Sequence, residues 1–379
     1  MALTTRYLTW LLSALTALVL LLASGDAAYA YSRDRVFRNL SVEFIGSANL
    51  PQPTLENGRV ENFSAITYDR QRDRFYALAV SQSETAPPDL ITFKIAFHSD
   101  EQSFKPTVQL EQVTPLKAAQ PQSNLKRLLK PQAIALGPEN TVFISGQAID
   151  LDRKPPFVCE FDLDTGSQRS CLDLPNRYLP TAQEPEAVDA QDADSPISFT
   201  ALTLVPGGIG NAGIDPFPLF AATEFPLPQD RDASSSDAIP KNRWLQYLFN
   251  SGDRPFLIAE YAYPLDPLPA NALEDILALG QSGHFLSLEQ AIDNNHSHSR
   301  LYQVAVSGAM DTSRLNSLKG LSKLKPLRKK LLLDLDTLDA LPDNLTGMTL
   351  GPALSDGSQS LILLSGDRLL VLHLVTVSI

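Results

Sequence analysis

Several short stretches of the chain carry residue types that could do chemistry. His296-Ser297-His298 would set two imidazoles on one face of a strand, a metal-binding arrangement. Its neighbours Asn294, Asn295 and Ser299 make it read instead as an exposed turn. Residues 181–196 hold Glu184, Glu186, Asp189, Asp192 and Asp194 with no cation, the oxygen ligands that calcium takes. No calcium-loop spacing accompanies them, so a solvated loop is expected. Residues 314–330 are the reverse, with Arg314, Lys319, Lys323, Lys325, Arg328, Lys329 and Lys330 and no acid. That run suits an anionic polymer or a membrane surface, and reads as another exposed connection. Gly208-Ile209-Gly210-Asn211-Ala212-Gly213 has dinucleotide-loop spacing, but Pro216 and Pro218 follow where that fingerprint must open a helix. There is no G-x-S-x-G elbow, no H-E-x-x-H and no Walker loop.

The elements that must position any such group follow from composition and repeats. The 379 residues are 44% hydrophobic with a net charge of −12, a globular and acidic chain that argues against nucleic acid as a partner. Pro at 28 exceeds Gly at 19, as in a β-rich chain with many turns. Five segments share one pattern: Ser64-Ala65-Ile66-Thr67-Tyr68, Gln132-Ala133-Ile134-Ala135-Leu136, Thr200-Ala201-Leu202-Thr203-Leu204, Glu274-Asp275-Ile276-Leu277-Ala278 and Thr346-Gly347-Met348-Thr349-Leu350. Their starts are 68, 68, 74 and 72 residues apart. A second apolar strand follows each one, and two more usually precede the next. Four strands per unit at a fixed period predict an all-β propeller of five to six four-stranded blades. The last unit is short of strands, so residues 36–45 are expected to complete it and close the ring.

The cysteines and the N-terminus bear on location. Residues 157–174 read as a hairpin turning at Asp164-Thr165-Gly166, which sets Cys159 opposite Cys171. In an oxidising compartment the pair should form a disulfide that pins the hairpin. Arg6, an apolar run over 7–23 and the Ala28-Tyr29-Ala30 box form a signal peptide over 1–30, leaving one domain over 31–379. No membrane span is expected after cleavage, and an exported monomer, periplasmic or extracellular, is the reading.

At the repeat cores the sequence resembles the phytase-like proteins with esterase-like activity. The anchors are Ala65-Ile66-Thr67-Tyr68-Asp69, Arg74-Phe75-Tyr76-Ala77-Leu78 and Phe199-Thr200-Ala201-Leu202-Thr203-Leu204. Further anchors are Ala222-Thr223-Glu224-Phe225-Pro226-Leu227-Pro228-Gln229-Asp230, Glu260-Tyr261-Ala262-Tyr263-Pro264-Leu265-Asp266 and Arg300-Leu301-Tyr302-Gln303-Val304. Leu331-Leu332-Leu333-Asp334-Leu335 and Asp343-Asn344-Leu345-Thr346-Gly347-Met348 complete the set. The resemblance implies an exported propeller acting on a small phosphate or carboxylate ester, with calcium as the cofactor it would use. It implies Glu224 and Glu289 as the acid/base pair or as metal ligands, and Asp230, Asp343 and Asn344 as further candidate metal ligands. Gln132, Thr200 and Thr346 stand where the family carries Glu, and a ring of such residues is a poor metal site or general base. The alternative is therefore a propeller without catalysis that binds a ligand or a protein.

Overall fold

The structure, a computed structural model, describes residues 36–55, 58–81, 88–100, 103–117, 128–149, 155–179, 197–205, 216–231, 239–249, 254–280, 283–293, 296–338 and 344–377. The signal-peptide reading, the acidic run over 181–196 and the Gly208–Gly213 loop fall outside these residues.

The described strands form five antiparallel blades, the lower of the two counts expected. β1 (Leu40–Asn49) opens the chain. Blade one holds β2 (Thr54–Leu55), β3 (Gly58–Asp69), β4 (Arg74–Ser81), β5 (Asp89–Asp100) and β6 (Ser103–Pro115). Blade two holds β7 (Leu128–Leu136), β8 (Thr141–Ile149), β9 (Pro156–Asp162) and β10 (Gln168–Cys171). Blade three holds β11 (Phe199–Leu204), β12 (Phe217–Thr223), β13 (Lys241–Phe249) and β14 (Phe256–Pro264). Blade four holds β15 (Ala272–Ala278), β16 (His284–Asp293), β17 (His296–Ala305) and β18 (Arg328–Asp334). Blade five holds β19 (Gly347–Ala353), β20 (Gln359–Ser365) and β21 (Arg368–Thr376), completed by β1.

The closing strand runs four residues later than expected. Its register pairs Leu40 with Thr376 and Asn49 with Arg368, so it ends where β21 begins. The His296-Ser297-His298 segment is the start of β17 and not a turn. Cys159 lies directly opposite Cys171 and the two are disulfide-bonded; Gly166 supplies the left-handed turn conformation at φ +67°. No helix among the described residues is long and apolar enough to cross a membrane.

The innermost strands pack in a ring, β3 on β7, β7 on β11, β11 on β15, β15 on β19 and β19 on β3. The apolar core is divided among the five junctions between blades. Phe63 and Phe75 of blade one pack with Ile362 and Leu364 of blade five. Phe220 and Trp244 of blade three pack with Ile276 and Phe285 of blade four. Burying one such side chain contributes about 1.5–3 kcal/mol, so the ring is held at its seams.

Candidate functional site

Four of the five inner strands carry a β-bulge, and in each of these the bulged residue is the repeat position. Ser64, Gln132, Thr200 and Glu274 each lack a ladder partner while their neighbours pair with the second strand. A bulge re-aims the side chain it frees. Three of the five repeat positions bind the next blade through a side-chain hydroxyl. Ser64 Oγ donates to the Pro131 carbonyl (3.0 Å), Thr200 Oγ1 to that of Leu273 (2.6 Å) and Thr346 Oγ1 to that of Phe63 (3.2 Å). In every case the acceptor is the residue just before the next blade's repeat position. Gln132 accepts instead from Ser198 Oγ of blade three. The residues that replace the expected carboxylates are thus staples between blades.

Glu274 is the exception, and the sequence reading passed over it even though it occupies the repeat position. Its carboxylate has no hydrogen bond or ion pair among the described residues. It is only partly exposed. Burial, then the neighbouring Glu224 and Asp275 carboxylates, push its pKa up to about 8. The equivalence of the five repeats was the signal that could have found it.

Glu224 follows β12 and is fixed through its backbone. Its N–H donates to the Ser198 carbonyl (3.1 Å), and its carbonyl accepts from Leu273 N–H of blade four (3.0 Å) and from Asn242 Nδ2 (2.7 Å). Residue 224 is therefore bonded to the residue that precedes Glu274. Its carboxylate also lacks a hydrogen-bond partner among the described residues. Burial raises its pKa, with Lys130 of β7 pulling the other way. Glu224 lines a small cleft together with Ile197, Ser198, Phe225, Pro226 and Arg231.

The other expected site residues lie elsewhere. Glu289 sits opposite Leu273, as Thr223 sits opposite Phe199, so its counterpart in blade three is Thr223 and not Glu224. A one-residue offset on a strand turns the side chain to the other face. Glu289 is accordingly 2% exposed and accepts from Tyr263 Oη (2.5 Å), Asn271 Nδ2 (2.8 Å), Asp266 N–H (3.1 Å) and Lys329 Nζ. Asp230 is buried with both oxygens on Arg243, Oδ2 at 2.6 Å from Nε and Oδ1 at 2.9 Å from Nη2, and Oδ1 also accepts from Leu318 N–H at 2.7 Å. Asn344 is an exposed turn residue at φ +66°, and Asp343 lies outside the described residues.

Among the described residues this donor set does not suit calcium, which takes six to eight oxygens with several carboxylates free to converge. Asp230 is committed to a buried guanidinium, and no cluster of three or more His, Cys, Asp or Glu able to hold a metal occurs among the described residues. The arrangement is two neighbouring carboxylates in different environments, both with raised pKa and Glu274 the more strongly shifted.

A family model described as phytase-like, esterase-like activity of phytase, matches residues 58–367. No curated protein matches the sequence. Among solved structures, a hypothetical protein from Leishmania major is 12% identical over 87% of this chain and 90% of its own, with a TM-score of 0.41. A glycosyl hydrolase from Bacteroides ovatus is 10% identical over 88% and 94%, with a TM-score of 0.43. The catalytic domain of a GH62 α-L-arabinofuranosidase from Coprinopsis cinerea is 11% identical over 89% and 98%, with a TM-score of 0.39. Scores at this level carry no statement about activity.

Proposed function

The chain belongs to the phytase-like family with esterase-like activity, and from that premise we propose that it hydrolyses small phosphate or carboxylate esters with Glu224 and Glu274. The observation that carries this reading is the pair itself: two partly buried carboxylates without partners, held by adjoining strand ends of blades three and four. Glu274, with a pKa pushed up to about 8, keeps its proton at neutral pH and gives it to the leaving alkoxide as general acid. Glu224, the less strongly shifted of the two, is the base that takes a proton from the attacking water. Environments that separate the protonation of neighbouring carboxylates are how one site supplies both roles. Arg231 lines the same cleft and offers positive charge to an anionic ester group. The export expected from residues 1–30 agrees with the disulfide, since such bonds persist in oxidising compartments.

The test is turnover of ethyl acetate and glycerol phosphate, whose leaving groups are alkoxides that need a proton, by the purified chain across pH 5–10. Removing a general acid typically slows turnover by about 10²–10⁴-fold. Glu274→Gln should fall in that range and lose the alkaline limb near pH 8, while Glu224→Gln loses the acidic limb. Folded protein that turns over neither ester, or turnover unchanged in Glu274→Gln, overturns the reading. The ligand-binding alternative then takes its place.

A further inference from the structure

The connection between β17 and β18 does not loop freely. It crosses from blade four and straps the outer edge of blade three. Thr312 N–H donates to the Glu260 carbonyl (2.7 Å), Leu327 N–H to that of Ala262 (2.8 Å), and Asp311 Oδ1 accepts from Glu260 N–H (3.0 Å). These bonds cover the open edge of β14. Beneath the strap lies Arg243, its side chain 0% exposed, paired with Asp230 and Glu260. Arg243 also donates to the strap carbonyls of Leu315 (3.0 Å) and Asn316 (3.4 Å), and Arg177 to that of Ser313 (2.7 Å). Leu318 and Leu327, 2% and 1% exposed, are its buried anchors.

What this fixed frame presents is one-sided. Arg314, Lys319, Lys323 and Lys325 are exposed and make no ion pair among the described residues. From residue 312 to 333 the strap carries no acid, in a chain whose net charge is −12. The acids that flank it are occupied, Asp311 with Glu260 N–H and Ser313, and Asp334 with Arg300. Between the lysines stands Leu321, 40% exposed, next to the turn at Gly320, so that positions 319, 321, 323 and 325 all face outward.

We infer that this strap is a docking surface for a membrane bearing anionic phosphate headgroups. Cations on a rigid frame attract such a surface at about 1 kcal/mol, roughly fivefold, per side chain. The exposed leucine favours lipid over a soluble polyanion, because it has an acyl boundary to enter. The acidic remainder of the molecule does not prevent this, since charges beyond about 8 Å are largely screened at physiological ionic strength.

The test is co-sedimentation of the full chain with phosphatidylglycerol and with phosphatidylcholine vesicles at 0.1 M salt. The readout is the preference for the anionic lipid, because the apolar segment over 7–23 can add binding to both. The chain should prefer phosphatidylglycerol, and added salt should erase the preference. The triple variant Lys319→Gln, Lys323→Gln, Lys325→Gln should lower anionic-vesicle partition about 100-fold, with its melting temperature and ester turnover unchanged. Leu321→Ser should weaken binding to the vesicles while leaving binding to inorganic polyphosphate as it was. Absence of a lipid preference, its survival in the triple variant, or polyphosphate binding without vesicle binding each overturns the assignment.

Discussion

Glu274 and Asp230 show how neighbours decide what a buried carboxylate does. Asp230 meets a guanidinium and a backbone N–H, and becomes part of the frame under the strap. Glu274 meets Glu224 and Asp275 and no cation, so its charged form is the costly one. A folded pKa near 8 against an ordinary 4.5 means that the folded state keeps a proton the unfolded state gives up. Stability from this group is therefore undiminished below about pH 4.5, falls as pH rises through that window, and is lowest above pH 8. Glu274→Gln removes the penalty. The variant should unfold at nearly the same urea concentration as the parent at pH 4.5 and gain up to about 5 kcal/mol by pH 9. A variant less stable than its parent at pH 9 would mean that a cation compensates Glu274 after all.

At the scale of the element, the inner strand with its bulge is the repeating device. In four blades the bulge frees one side chain, and where the repeat position holds a hydroxyl it ties its strand to the next blade. Thr200→Val keeps the shape and removes the donor to the Leu273 carbonyl, so it should cost about 1–2 kcal/mol in urea unfolding. No loss would mean that water replaces the bond without penalty. The same device explains what the sequence could and could not disclose. The blades, the second strands and the Cys159–Cys171 pairing were legible because each is a local pattern or a repeat. The site was half legible. Glu224 stands in a recognisable segment, whereas the one-residue offset that puts Glu289 on the other face of its strand leaves no mark in composition. Asp230 looked available for a metal because its partner Arg243 and the strap residue Leu318 meet it only in the folded chain. Glu274 was visible in the alignment of repeats, but its role depends on the other four positions being staples.

For the whole molecule, the consequence of a core divided among seams is that no blade is buried on its own. Each blade needs two neighbours, and the ring needs a join that sequence order cannot supply. β1 is that join: it runs antiparallel to β21 along nine paired positions from Leu40 to Asn49. Leu40, Val42 and Phe44 pack on the seam between blades four and five, against a cluster that includes Leu372 and Leu374. Without β1, β21 becomes an edge strand with unpaired N–H and C=O groups, a template for association with other chains. A chain that starts at residue 50 therefore loses three partly buried side chains, about 3–5 kcal/mol by area, together with its edge protection. It should melt at lower temperature and form concentration-dependent oligomers by sedimentation. A peptide of residues 36–50 added in trans should restore the monomer, because the groove beside β21 survives the truncation. If the truncated chain stays monomeric and melts with the parent, the seam is closed by something other than β1.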